Sequence, residues 1–253
     1  MHIAGYQKLS LQDYPKKVAA ICFAAGCQLR CAYCHNAELI IKNRKINSGV
    51  FGSQAEEFLH YLKKRKSCLE GVVISGGEPL MQAGIENFAE KIKEMGLQIK
   101  LDTNGLLPGR LKDLLERQLI DYVALDYKNY SQFWNETVGL HQSEAQKVNQ
   151  IDKWYQSLSL LRCVDIAYEI RTTVVKQLHP PEALMQMAKT LSAAANNKTE
   201  EWFLQSFKRS GKILGEYKAE YENKEIFEAY LPQEMQRIME QIKAYVPGVK
   251  LRI

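Results

Sequence analysis

No stretch of this sequence is long and apolar enough to cross a bilayer. The longest uninterrupted apolar run, Val18 to Cys27, falls short of the roughly 20 residues that a membrane helix needs. The opening "MHIAGYQKLSLQDYPKK" has no apolar core behind a basic start, so a secretion signal is not expected. Together these absences lead to the expectation of a cytoplasmic protein, in a reducing compartment and with no membrane partner. Internal repeats, low-complexity tracts and Pro/Gly/Ser-rich linkers are missing too. The 253 residues allow one large core or two small ones, and without a linker a single domain over 1–253 is expected. Basic residues are in slight excess, at a net charge of +5, but scattered. The densest run, Lys63 to Lys66, reads as the solvated end of a helix. Without a broad basic face carrying stacking aromatics, no nucleic-acid partner is expected.

Cysteine is unevenly spread. Cys27, Cys31 and Cys34 lie within "CQLRCAYCHN", and no fourth cysteine joins them. Cys22, Cys68 and Cys163 are isolated and read as small buried hydrophobes. In a reducing compartment, clustered thiols suggest a metal or redox site rather than a disulfide framework.

Along the chain, short strand-like runs alternate with longer segments of helical period. The strands are expected at 18–23, 71–75, 98–103, 121–126, 167–175 and 201–207, with helices near 53–66, 84–95, 109–118, 143–162 and 181–195. In 84–95, Ile85, Phe88, Ala89 and Ile92 recur at three- and four-residue steps, which gives one apolar face. Six strand–helix units predict an α/β fold with a parallel sheet. Six are fewer than the eight of a closed barrel, so a partial, open (β/α)6 barrel is expected, with a doubly wound sheet as the alternative. The core should span about 15–210. A short appendage, about 212–253, should carry a helix near 225–244 and the strand "VKLRI".

In both architectures the chemistry gathers at the C-terminal ends of strands. After the first expected strand comes the cysteine loop. Three thiolates in eight residues can ligate three irons of a 4Fe–4S cluster and leave the fourth iron open. A zinc site of Cys27, Cys31, Cys34 and His35 is the other reading, although adjacent Cys34 and His35 would strain to reach one ion. After the second strand, "SGGEP" (75–79) lets backbone approach a ligand and adds Glu78, a suitable partner for an ammonium. It is also an ordinary strand–helix turn. After the third, "LDTNG" (101–105) suits ribose hydroxyls, a carboxylate held through a cation, or an Asx turn. After the fourth, Asp126 and Lys128 lie two apart, on one side if the strand continues, and can form an ion pair. On the fifth, Arg171 stands between Ile170 and Thr172 and needs an anionic partner or an aqueous interior.

In this order, "CQLRCAYCHN", "ISGGEPL", "LDTNG", "YVALDYK" and "IRTTVV" resemble the radical S-adenosylmethionine (SAM) enzymes that activate glycyl-radical enzymes. Within that group the chain is most similar to the activating proteins of anaerobic ribonucleoside-triphosphate reductase, and "GYQKLSLQDYP" fits them as well. The resemblance runs from about residue 3 to about 210. It implies a radical SAM type of partial barrel. Cys27, Cys31 and Cys34 would hold one 4Fe–4S cluster, whose open iron chelates the amine and carboxylate of SAM. Tyr33 would lie near the adenine. Gly76, Gly77 and Glu78 would bind the methionine amine. Asp102, Thr103 and Asp126 match positions around a monovalent cation near the methionine carboxylate. Asn104 and Lys128 would line the pocket, and Arg171 would contact the cofactor. His179 and Gln205 stand where the adenine or ribose end is expected.

The implied activity is reductive cleavage of SAM and removal of hydrogen from a glycine of a partner, with anaerobic ribonucleotide reductase the first candidate. Flavodoxin or ferredoxin would donate electrons, and a monomer suffices for a much larger partner. Three departures stand out. Phe207 is followed by Lys208 and Arg209 where an Arg-Pro pair is usual, Ala124 stands where methionine is common, and no cysteine-rich insertion separates Cys34 from Gly76. Two other functions fit parts of the pattern. One is a radical SAM enzyme of the deazaguanine-synthase kind, acting on a small molecule. The other is a zinc or iron–sulfur protein without turnover.

Overall fold

The computed structural model describes residues 1–41, 52–140, 142–194, 200–209, 211, 213–217 and 227–252. In chain order its elements are β1 (Ile3–Ser10), β2 (Ala19–Ala24), α1 (Ala37–Ile41), α2 (Ser53–Arg65), β3 (Gly71–Gly76), α3 (Ile85–Lys93), β4 (Gln98–Thr103) and α4 (Pro108–Glu116). There follow β5 (Tyr122–Asp126), α5 (Trp134–Val138), α6 (Glu144–Cys163), β6 (Ala167–Val174), α7 (Pro181–Ala194), β7 (Trp202–Ser206), α8 (Pro232–Ile242) and β8 (Val249–Arg252). They form two compact units. The first comprises Met1–Gln28, Glu38–Ala124 and Lys153–Tyr168; the second comprises Leu29–Ala37, Leu125–Asp152 and Glu169–Ile253. The division falls inside β5, α6 and β6.

In the first unit, β1 is an edge strand, antiparallel to β2. β2, β3 and β4 run parallel, with Ile21 beside Val73 and Val73 beside Lys100. Asp121 donates its N–H to Ile99 O at 2.8 Å, which sets the start of β5 against β4. β2 and β3 are buried along nearly their whole length, as parallel strands covered on both faces must be, and so they read as continuous apolar runs. The apolar stripe expected on α3 is the buried one: Ile85, Phe88, Ala89 and Ile92 are fully enclosed. Phe88 stacks on Phe58 of α2 with centroids 6.4 Å apart. Pro108 opens α4, where its missing N–H costs nothing. Lys63, Lys64 and Arg65 form the exposed last turn of α2.

In the second unit, the end of β5 meets β6 through Tyr127 N–H to Arg171 O at 2.7 Å. β6, β7 and β8 are parallel, and β8 is an edge. Trp202 is fully buried and donates its indole N–H to the Thr172 hydroxyl at 3.0 Å, while that hydroxyl donates to Tyr127 O at 2.7 Å. In the tail, β8 joins the sheet, and α8 packs on α7 and β8 through Met235, Ile238, Met239 and Ile242. The expected helix 225–244 is the shorter α8, Pro232–Ile242: residues 227–231 are not helical, Pro232 opens the helix, and 225–226 lie outside the described residues.

One expectation is corrected. Cys22 is buried in β2, but Cys68 and Cys163 are exposed, because Cys68 lies in the turn after α2 and Cys163 is the last residue of α6. Among the described residues no helix is long and apolar enough to cross a membrane.

Candidate active site

In the first unit the candidate residues gather where β2, β3 and β4 end. Gly76 has φ +112°, and a Cβ on Gly77 would stand 1.8 Å from Gly26 O, so neither position accepts a side chain. This close approach lets Gly77 N–H reach Ala24 O at 2.9 Å and Glu78 N–H reach Gly26 O at 2.8 Å. The turn after β3 is thereby tied to the loop that leads into Cys27.

Glu78 is fully buried. Its carboxylate accepts from the Thr103 hydroxyl at 2.7 Å, from Asn104 N–H at 2.8 Å and from Leu80 N–H at 3.1 Å. Thr103 Oγ1 in turn accepts from Gly105 N–H at 3.1 Å, and Asn104 Oδ1 accepts from Leu106 N–H at 3.1 Å. "LDTNG" is therefore a locally bonded turn. Its Asn104 also faces Cys27: Nδ2 lies 3.8 Å from Cys27 Sγ, and Gln28 Nε2 donates to Oδ1 at 3.1 Å. Asp102 accepts from the Ser75 hydroxyl at 3.0 Å and pairs with Lys100.

In the second unit, Cys31, Tyr33 and Cys34 share one turn, closed by Cys34 N–H to Cys31 O at 3.0 Å. The turn is pinned by Leu214 N–H to Cys34 O at 3.0 Å, Gly215 N–H to Ala32 O at 2.8 Å and Arg30 N–H to Val138 O at 2.8 Å. Tyr33 presents its edge to Phe227, and His35 stacks on Phe207 with centroids 5.1 Å apart. Arg171 has the anionic partner its position demands: Nε and Nη2 donate to Asp126 Oδ1 at 3.1 and 2.9 Å. Lys128 Nζ takes Asp126 Oδ2 at 3.0 Å.

His179 is completely enclosed, with Nδ1 accepting from Val175 N–H at 3.1 Å and Nε2 2.7 Å from Lys128 O. With Nδ1 an acceptor, Nε2 carries the proton and donates it to Lys128 O. The ring nitrogens are thus committed to main chain. Gln205 is half-buried on β7, between Thr173 and Arg252 in register. Lys208 and Arg209 are exposed, and Arg209 pairs with Glu216.

Burial sets the ionisation of the second unit's groups. It pushes the Cys31 thiol up to about 11, although the nearby Lys128 ammonium pulls the other way. Cys34 and Tyr33 are raised for the same first reason. Burial alone would lower Lys128, but Asp126, with Tyr33 and Cys31, outweighs it and holds the amine well above its ordinary value. His179 is lowered to about 4 by burial, against the pull of its two main-chain bonds.

The donor set suits an iron–sulfur cluster. None of the three cysteines of the loop is tied up in a disulfide, thiolates are the usual protein ligands of such clusters, and three leave one iron for another molecule. Lys128 supplies a cation beside Cys31 and Cys34, which eases loss of their protons to a metal. Among the described residues, no three His, Cys, Asp or Glu side chains are placed as the ligands of a metal ion.

Residues 21–188 match the model of the radical SAM superfamily. The chain belongs to that superfamily. Over 190 residues, 75% of each chain, this radical SAM protein is 33% identical to one from Methanocaldococcus jannaschii named "putative glycyl-radical enzyme activating enzyme". It is 33% identical over 105 residues, 41% of each chain, to the pyruvate formate-lyase-activating enzyme of Staphylococcus aureus. Among solved structures, SuiB of Streptococcus suis bound to S-adenosylmethionine matches with a TM-score of 0.62 at 16% identity, over 92% of this chain and 49% of that one. At that identity the likeness concerns the fold: α/β, with a partial, unclosed sheet. The expected fold class holds.

Sequence reasoning missed Lys100, Ser75 and Gln28. Lys100 carried the same signal that exposed Arg171, a charge inside an apolar strand, with Asp102 two residues on.

Proposed function

We propose that this chain is the activating enzyme of a glycyl-radical enzyme, with anaerobic ribonucleotide reductase as the first candidate partner. What carries the reading is the 33% identity over 190 residues to the M. jannaschii relative, together with the order of polar groups at successive strand ends. Cys27, Cys31 and Cys34 would hold a 4Fe–4S cluster, which would supply the low-potential electron for reductive cleavage of SAM, and the partner's glycine would be the hydrogen donor.

The chain's own residues bind and orient. Cys27, Cys31 and Cys34 ligate the cluster. Gly76, Gly77 and Glu78 form the wall for the methionine ammonium, with Glu78 fixing Thr103 and Asn104. Asp126, held by Arg171 and Lys128, offers an acceptor whose charge is already balanced. Tyr33 and Gln205 face the nucleoside end, and His179 shapes it by fixing the main chain at Lys128. A monovalent cation at Asp102, Thr103 and Asp126 belongs to the resemblance, and the ion pairs there bear on it below. Flavodoxin or ferredoxin is the donor, and the protein acts as a cytoplasmic monomer.

The test is electron paramagnetic resonance on the reductase mixed anaerobically with the cluster-loaded protein, SAM and reduced flavodoxin. A glycyl-radical doublet that needs every component supports the reading. Deoxyadenosine without a doublet on any glycyl-radical enzyme tried turns it toward a small-molecule substrate.

A further inference from the structure

Lys100 is a charged side chain where a parallel strand is otherwise apolar. It is 2% exposed. Its row across the sheet is Ile21, Val73 and Lys100, and the next row on that face begins with Phe23 and Ser75. Val73, its neighbour in register, belongs to a buried cluster with Tyr14, Ala19 and Ile21 against which Tyr122 packs, and the Tyr122 ring centroid lies 6.0 Å from Lys100 Nζ. The ammonium reaches toward the strand's C-terminal end and meets Asp102 Oδ1 at 2.5 Å, while Ser75 donates to Oδ2 at 3.0 Å. Residues two apart on a strand share a face, which makes this pairing a property of the sequence. A buried ammonium needs a counter-charge to stay ionised, and so does the carboxylate it meets.

We propose that Lys100 is the resident cation of Asp102: a tethered ammonium that takes the place of an alkali ion there, so that this chain works without one. It acts through Asp102 and is a positioning residue. Two observations support it. The Thr103 hydroxyl donates to Glu78 and accepts from Gly105, which leaves it a single lone pair. Asp126 has its own fixed cations in Arg171 and Lys128. Asp102 and Asp126 each therefore carry a built-in positive partner. A tethered charge is also independent of the salt around the protein, unlike a dissociable ion.

The proposal rests on the activase reading only for its turnover arm. The cluster-loaded protein is melted in potassium, sodium or tetramethylammonium chloride at equal ionic strength, and deoxyadenosine formation is followed in the same salts. The wild type should melt alike in all three, with rates within about twofold. Lys100→Met should melt about 6–20 °C lower in tetramethylammonium, as expected for breaking a buried pair in a chain of this size, and recover along a saturating curve with potassium or sodium. The double variant Lys100→Met/Asp102→Asn, which removes both charges, should melt alike in all salts. It keeps the test alive if the single variant does not fold. A saturating alkali-ion response in the wild type or in the double variant overturns the proposal, as does a Lys100→Met protein indifferent to the cation. If no deoxyadenosine forms in any salt, with or without the partner enzyme, the activase reading fails, and the melting curves still decide the role of Lys100.

Discussion

Glu78 holds Thr103. The buried carboxylate takes the threonine hydroxyl at 2.7 Å and the next residue's N–H at 2.8 Å, so the turn after β3 fixes the turn after β4. Read from the sequence, Glu78 was a partner for a ligand's ammonium. In the structure it first anchors two strand ends. Glu78→Gln puts an amide N–H against one of three donors. It should cost about 2–4 kcal/mol, in the range for a buried charged hydrogen-bond acceptor lost and a donor stranded. Urea denaturation of the cluster-free protein measures this apart from chemistry.

The paired glycines make a sharper steric case. Gly77→Ala would place Cβ 1.8 Å from the Gly26 carbonyl oxygen, a main-chain atom that cannot swing away. At Gly96, φ is +79° but nothing lies within 4 Å of the added carbon. Gly96→Ala should therefore cost only the left-handed penalty of about 1–2 kcal/mol. Gly77→Ala should cost more than that and abolish SAM binding. Thermal melts of the two variants, side by side, separate local strain from collision.

His179 ties stability to pH. Its folded value is lowered to about 4, below the ordinary 6.5, because the buried ring is held neutral. The stabilisation is present in full above pH 6.5. As pH falls from 6.5 toward 4, the unfolded chain takes up a proton that the folded chain refuses, and about 3 kcal/mol is lost. Below pH 4 both forms are protonated and the loss levels off. Denaturant midpoints for the wild type should drop through this window. Those of His179→Gln, less stable at pH 7, should drop by less.

Arg171 gives a charge-versus-geometry contrast. Two of its nitrogens share Asp126 Oδ1, so Arg171→Lys keeps the charge and loses the fork. We expect SAM affinity to fall several-fold in Arg171→Lys and by more than about tenfold in Arg171→Met, where Asp126 keeps Lys128 alone. Equilibrium binding of SAM to the cluster-loaded variants provides the check.

Much of the fold could be read in advance because parallel strands and their cover helices impose strong, distinct periods. β4 was placed at 98–103, where it lies, and α3 and α7 within a residue or two. β1 escaped notice because an antiparallel edge strand needs one buried face at most. Its run "IAGYQKLS" alternates weakly, with Gln7, Lys8 and Leu9 exposed in succession. Lys100 carried the signal of Arg171, a charge inside an expected strand, but it stands before "LDTNG" and not at the strand's end, and its burial shows in its row across the sheet, Val73 and Ile21. For His179, position suggested a nucleoside contact. Only the coordinates show that Val175 and Lys128 occupy its ring nitrogens.

The account stands most directly on the three thiols. The deciding measurement is anaerobic formation of deoxyadenosine from SAM, after reconstitution with iron and sulfide and reduction with dithionite, in the wild type and in Cys27→Ser, Cys31→Ser and Cys34→Ser. The account predicts deoxyadenosine and methionine in equal amounts from the wild type and none from the three variants. A wild type that carries its cluster yet leaves SAM intact, with and without the partner enzyme, would contradict it.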